Sequence, residues 1–140
     1  MSARSKARKR ALDVLFEADQ RDRDVRDTLA EWVQRADPPV PSYAGDLVNG
    51  VAQHKDRIDE VLTGYAGEWP LQRMPSVDRS ILRLATYELL WSADVPAAVA
   101  IDEAIELAKS LSTDESPRFV NGVLARVLAD KPQLTADPEP

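Results

Sequence analysis

Apolar residues recur along this chain at three- and four-residue spacing, and no segment alternates apolar with polar positions as a half-buried strand would. Residues 3–21 place Ala7, Ala11, Val14, Leu15 and Ala18 on one stripe, which predicts an amphipathic helix with Arg8, Lys9, Leu12 and Phe16 outside it. A second helix is predicted over 24–36 from Val25, Leu29, Trp32 and Val33, and the proline-rich run from Asp37 to Pro41 ends it. A third opens with Ser42 as its cap and reaches Tyr65, carrying Leu47, Val51, His54, Ile58, Val61 and Leu62. Ser76 is placed to cap a fourth, in which Ile81, Leu84, Ala85 and Leu89 face inward until Asp94 to Pro96 close it. The stretch from Val95 to Leu128 then reads as two helices about a polar turn, the pair around which the chain is expected to organise. Ile101, Ala104, Ile105 and Ala108 make the core face of the first; Val120, Val123, Leu124 and Val127 make that of the second. Ser116 before Pro117 predicts the second helix start, a capping hydroxyl followed by a proline at the first helical position.

These elements predict an all-α fold of about six or seven helices in two small antiparallel bundles. Gly64, Gly67, Pro70 and Pro75 mark the connection between the bundles. Residues 1–130 form one helical domain in this reading, and residues 131–140, with three prolines and little apolar content, form a disordered tail. Gly122 falls inside the last helix, where glycine costs ~1 kcal/mol against alanine, so a close helix–helix approach is expected there.

With 44% hydrophobic and 30% charged residues, the chain suits a globular protein rather than a disordered one. It lacks any apolar run near the ~20 residues that span a bilayer, and Asp13 and Glu17 interrupt what would otherwise be a signal-peptide core. The absence of cysteine excludes disulfides and thiolate metal sites, and a cytoplasmic location is the expectation. His54 stands alone, with no second histidine to complete a metal site. Asp102, Glu103 and Glu106 alternate with Lys109 on one helix, the pattern of a solvated face. No phosphate loop, nucleophile–base pair or cofactor motif accompanies them, so neither catalytic residues nor a cofactor are expected and the chain reads as a non-enzyme.

Charge changes the picture more than composition does. The net charge is −6, yet residues 1–10 hold Arg4, Lys6, Arg8, Lys9 and Arg10 and no acid, a +5 head. Thirteen cationic side chains against 24 acidic ones remain, which makes the rest −11. Such a chain meets a polyanion at its head, while its body restrains non-specific binding. Arg8 and Lys9 beside Phe16 suit single-stranded RNA, where cations hold phosphates and a ring stacks on a base. Phe16 packing into the core is the equal alternative.

Four blocks in order carry a resemblance: ARKRALDVLFEADQ, SVDRSILRLATYELL with the following DVP, IDEAIELAKSL, and FVNGVL. Together they resemble the NusB family of transcription antitermination factors over nearly all of residues 3–128. The resemblance implies binding of single-stranded boxA RNA together with NusE, a ribosomal small-subunit protein. Through that complex it implies contact with RNA polymerase and other Nus factors, and processive transcription chiefly of ribosomal RNA operons. It implies that Arg4, Lys6 and Arg8 on the first helix, with Glu115, Arg118 and Phe119 at the last, face RNA, and the residue pattern adds Lys9 and Phe16 to that surface. Phe119 too has core packing as its alternative. Asp78 and Arg79, at the start of the fourth helix, are implied to face NusE, with Asp78 outside the apolar stripe and open to a partner. Oligomeric state stays open, because an exposed apolar surface serves either NusE or a second copy in a homodimer. Two rivals remain: a helical interaction module that binds no RNA, and the NusB-like module fused to RNA cytosine methyltransferases, for whose catalytic domain 140 residues leave no room.

Overall fold

A computed structural model describes residues 2–67 and 69–135. Among these the regular structure is helical: α1 (Ala3–Gln20), α2 (Val25–Arg35), α3 (Ser42–Tyr65), a 3₁₀ turn (Leu71–Arg73), α4 (Ser76–Trp91), α5 (Ala97–Leu111), α6 (Ser116–Ala129) and α7 (Lys131–Leu134). The first three helices and the next three form two groups about the 3₁₀ turn, and a single apolar core runs through both. Helix α1 packs on α2, α3 and α4, while α4 also packs on α3, α5 and α6.

That makes α4 the hub, not the α5–α6 pair on which the sequence pattern concentrates. Ten of its sixteen residues are buried, including four polar or charged ones beyond the apolar stripe. Paired contacts fix the directions. Arg8 meets Glu88 and Asp19 meets Arg79, so α1 runs antiparallel to α4. Tyr43 meets Glu88 and Asp59 meets Arg83, so α3 does too.

The stripe of α6 is buried as its spacing predicts, with Val120, Val123, Leu124 and Val127 all fully enclosed. On α5 the core face is rotated toward Ala100, Ala104 and Ala108, leaving Ile101 and Ile105 only half-buried. Leu12, which the α1 pattern leaves outside the stripe, is buried. Helices α1 and α2 are capped by Ser2 and Asp24, whose side chains accept from Ser5 N at 3.0 Å and Arg26 N at 2.8 Å. Ser42, Ser76 and Ser116 are not caps: each lies inside its helix, behind Pro41, Pro75 and Glu115. A proline at the N-cap fixes the extended backbone entry without a side-chain oxygen.

Close approach occurs at Gly50 rather than Gly122. A Cβ on Gly50 would run into the Tyr87 ring, so the glycine lets α3 and α4 press together there. Nothing lies within 4 Å of the corresponding point at Gly122. The expected tail from Lys131 begins with a helical turn, whose Leu134 packs on the core and whose Leu134 carbonyl accepts from Arg57 Nη2 at 3.2 Å. Residues 136–140 of that tail lie outside the described residues.

Candidate nucleic-acid interface

The basic head occupies the first turns of α1, a segment with no acid of its own, at the positive end of the helix dipole. Its five cations have unequal surroundings. Arg4 is exposed, donates from Nη2 to Asp94 Oδ2 at 2.8 Å, and places its guanidinium 4.4 Å from the Tyr43 ring centroid. That bond raises the Arg4 pKa and holds the Asp94 carboxyl below its ordinary range. Lys6 is exposed and makes no ion pair among the described residues. Lys9 is held by Asp13 one turn on, at 2.7 Å. Arg10 donates to the Pro38 carbonyl at 2.7 Å and lies over Trp32 at 4.7 Å.

Arg8 departs from its expected place facing RNA. It is 2% exposed, and its Nε donates to both Glu88 oxygens at 2.8 and 3.1 Å. Tyr43 adds its hydroxyl proton to Glu88 Oε2, and Glu103 lies 3.5 Å from Arg8 Nη1. Burial works to lower the Arg8 pKa, but the bond and charge of Glu88 outweigh it and leave the pKa raised. Helical spacing puts position 8 at the stripe's edge, and only the buried acid across on α4 shows that it turns inward. The exposed cations of the head are therefore Lys6 and, paired with Asp94, Arg4.

Phe16 is 37% exposed, which removes it from the core. It lies on the α1 face that carries Ser5 and Lys9, since seven residues make almost two turns. That face borders a groove of about 560 Å³ between α1 and α5, with Val99, Leu107 and Leu111 as its apolar lining. Asp102, Glu103 and Glu106 also line it. Glu103 is not on a solvated face, as the pattern implies, but half-buried, accepting from Ser5 and paired with Arg8.

At the start of α6, Glu115 and Arg118 are exposed and Phe119 is half-buried. The Phe119 ring sits 4.8 Å from that of Trp69, tilted by 58°. Trp69 thus joins the aromatic surface, although its sequence context marks only a turn. The structure does not bring this cluster to the head. Ser116 touches Asp78 at one end of α4 and Arg8 touches Glu88 near the other, a separation of about 15 Å along the helix.

The residues implied to face NusE depart further from expectation. Asp78 is 0% exposed and accepts from Ser112 at Oδ1 and from Ser116 at Oδ2, the latter at 2.9 Å. Arg79 donates to the Leu71 and Met74 carbonyls and pairs with Asp19 at 2.5 Å. Both fasten α4 to its neighbours, so neither is available at a rim. Among the described residues, no His, Asp and Glu cluster has a metal-holding arrangement, and no helix is long and apolar enough to cross a membrane.

Residues 5–129 match the NusB family. The transcription antitermination protein NusB of Kineococcus radiotolerans is 59% identical over 136 residues, which is 97% of this chain and 100% of that protein. Among solved structures, T. maritima NusB aligns with a TM-score of 0.82 at 37% identity, over 92% of each chain. The crystal structure of antitermination factors NusB and NusE in complex with dsRNA gives 0.79 at 26% identity, over 90% of this chain and 96% of that one.

Proposed function

The chain belongs to the NusB family, whose members are transcription antitermination factors and not enzymes, and we propose that it binds single-stranded boxA RNA together with NusE. The complex joins RNA polymerase and other Nus factors and favours processive transcription, chiefly of ribosomal RNA operons. The observation that carries this reading is the exposed pair Arg4 and Lys6 on an otherwise acidic chain. A related NusB forms a complex with NusE and dsRNA, which supports NusE and RNA as the partners. Arg118 and the Phe119–Trp69 rings offer the strand a second point of contact beyond the head.

For NusE, the groove between α1 and α5 suits better than the start of α4. Val99 and Leu111 are exposed apolar groups there, Phe16 is exposed farther along the α1 face that borders it, and Asp102 and Glu106 provide an acidic border. A ribosomal protein is adapted to RNA and carries cationic side chains that such a border attracts. A second copy of this chain docked groove to groove would bring acid against acid. Phe16→Ala is expected to lower NusE affinity more than the RNA affinity of the isolated chain.

Filter binding with boxA RNA and a scrambled control, with and without NusE, tests the function. Preference for boxA that strengthens with NusE is expected; equal retention of both RNAs in NusE's presence would overturn it. Arg4→Ala with Lys6→Ala should reduce the log–log salt slope by about 1.4, two single-strand phosphate contacts.

A further inference from the structure

Between the first half of α3 and the C-terminal end of α4 lies a cleft of about 650 Å³. Tyr43, Asn49 and Gln53 line it from α3, Tyr87 and Trp91 from α4, and Arg4 reaches in from the head of α1. Its volume falls in the range of small-ligand sites, roughly 300–1,000 Å³. The chain has eight Phe, Trp and Tyr residues, and three of them line this one cleft, too many to arise from an even scatter.

The rings are already ordered. Trp91 stacks on His54 of α3, centroids 4.1 Å apart and 13° from parallel. Tyr87 lies 6.3 Å from Trp91 at 22°. Tyr87 is held in place because it takes the space that any side chain at Gly50 would need. All of these rings are half-buried, so each keeps part of its surface open. A flat, pre-set aromatic wall costs little ordering entropy when another flat group is laid on it.

Charge selects the kind of flat group. Asp46 and Asp94 also line the cleft, and Arg4 is the one cation that does. A phosphate inside would face two carboxylates. A neutral base would not be repelled, and its amino groups would find acceptors in Asp46, Asn49 and Gln53. The cationic position over Tyr43 is already filled by Arg4, which disfavours an arginine supplied by another protein.

We infer that this cleft receives an unstacked nucleobase of the single-stranded RNA bound at the head. The base lies along the Trp91 and Tyr87 rings, and its phosphate is held by Arg4 at the mouth. Arg4 releases Asp94 to do so, a cheap exchange because the pair is solvent-exposed. The inference rests on the RNA-binding reading of the head and gives that surface a base-stacking site.

The test uses the full chain labelled with 5-fluorotryptophan, its Trp91 fluorine resonance assigned with Trp91→Phe. Addition of single-stranded boxA RNA should move the Trp91 resonance, whereas NusE alone should not. Trp91→Ala should weaken RNA binding roughly 5- to 150-fold, the worth of one stacked base, with an unchanged salt slope because no phosphate contact is lost. Circular dichroism of that variant separates lost binding from lost folding, and the fluorine measurement needs no destabilising substitution. RNA binding that Arg4→Ala weakens, alongside a still Trp91 resonance, would overturn the base site and leave the head intact. A shift with NusE and none with RNA would assign the cleft to protein and overturn it equally. No RNA binding by the unmutated chain would defeat the RNA reading itself, and the base site with it.

Discussion

Helix α4 buries two carboxylates ten residues apart and satisfies them in opposite ways. Glu88, near the C-terminal end, receives a full cation: Arg8 Nε on both oxygens, with the Tyr43 hydroxyl added. Asp78, in the first turn, receives the neutral hydroxyls of Ser112 and Ser116. The helix itself accounts for the asymmetry. Its N-terminal amides favour a negative charge and its C-terminal carbonyls oppose one, by about 0.3–1 kcal/mol each and up to ~2 where burial reduces screening. Neutral donors therefore complete the Asp78 site. At Glu88 the dipole adds to the desolvation cost, and the cation is supplied by Arg8, the one fully buried basic residue of α1.

The largest effect should come from removing that arginine. Arg8→Ala would leave Glu88 enclosed with a single phenol, and breaking a buried pair in this way typically costs about 3–5 kcal/mol. Urea denaturation would register it as a lower midpoint, while the salt slope of RNA binding by the folded fraction should stay unchanged. A stable Arg8→Ala protein with a reduced salt slope would return Arg8 to the RNA surface. Asp78→Ala should cost less, about 1.5–3 kcal/mol for lost hydrogen bonds to a charged group. Its NusE affinity, measured by calorimetry on folded protein, should match the unsubstituted chain; a large loss of affinity without loss of stability would make Asp78 a partner residue after all.

The same contrast shows what the chain discloses before folding. Helix positions, the α6 stripe and the all-α class follow from periodicity, because those features are set within one turn of helix. The fates of Arg8 and Asp78 are set by residues 80 and 34–38 positions away, so spacing alone leaves both at the edge of a stripe. Gly50 and Gly122 are both mid-helix glycines, and only Tyr87 across the interface separates the constrained one from the free one. Of the expected RNA-facing residues, Arg4, Lys6, Glu115, Arg118 and Phe16 are exposed, while Lys9 and Phe119 are half-buried. Trp69, Tyr43 and Trp91 carry no distinguishing signal in the sequence, because each sits in a turn signal or a helix pattern that explains it adequately by itself.

A smaller effect sharpens the Glu88 side. Burial, then the bond to Glu88, pushes the Tyr43 phenol from its ordinary 10 up to about 12. A pKa raised on folding gives stability that is complete below the unfolded value and is lost as pH rises through the folded one. Stability should accordingly decline between pH 10 and about 12, and Tyr43→Phe should flatten that part of the profile. Phenolate absorbance titrated against denaturation midpoints would check it; an identical decline in Tyr43→Phe would place the loss at another tyrosine.

The smallest expected effect tests whether neutral donors suffice at Asp78. Ser116 Oγ donates to Asp78 Oδ2 at 2.9 Å and accepts from Thr113 N at 3.2 Å, so one hydroxyl ties the α5–α6 turn to the hub. Ser116→Ala removes that tie, but Ser112 remains on the other carboxylate oxygen and the helix N-terminus still favours the charge. The loss should be about 1.5 kcal/mol, the low end for a hydrogen bond to a charged group, because the other oxygen keeps its donor. Because Ser112 and Ser116 share one acceptor, the double variant Ser112→Ala with Ser116→Ala should cost more than the sum of the single losses. The carboxylate is then stripped of every side-chain donor and approaches the state that Arg8→Ala creates at Glu88. Denaturation of the two single variants and the double one would measure the coupling. Simple additivity would mean that the helix end alone carries Asp78, and that the difference between the two ends of α4 is larger than the hydroxyls suggest.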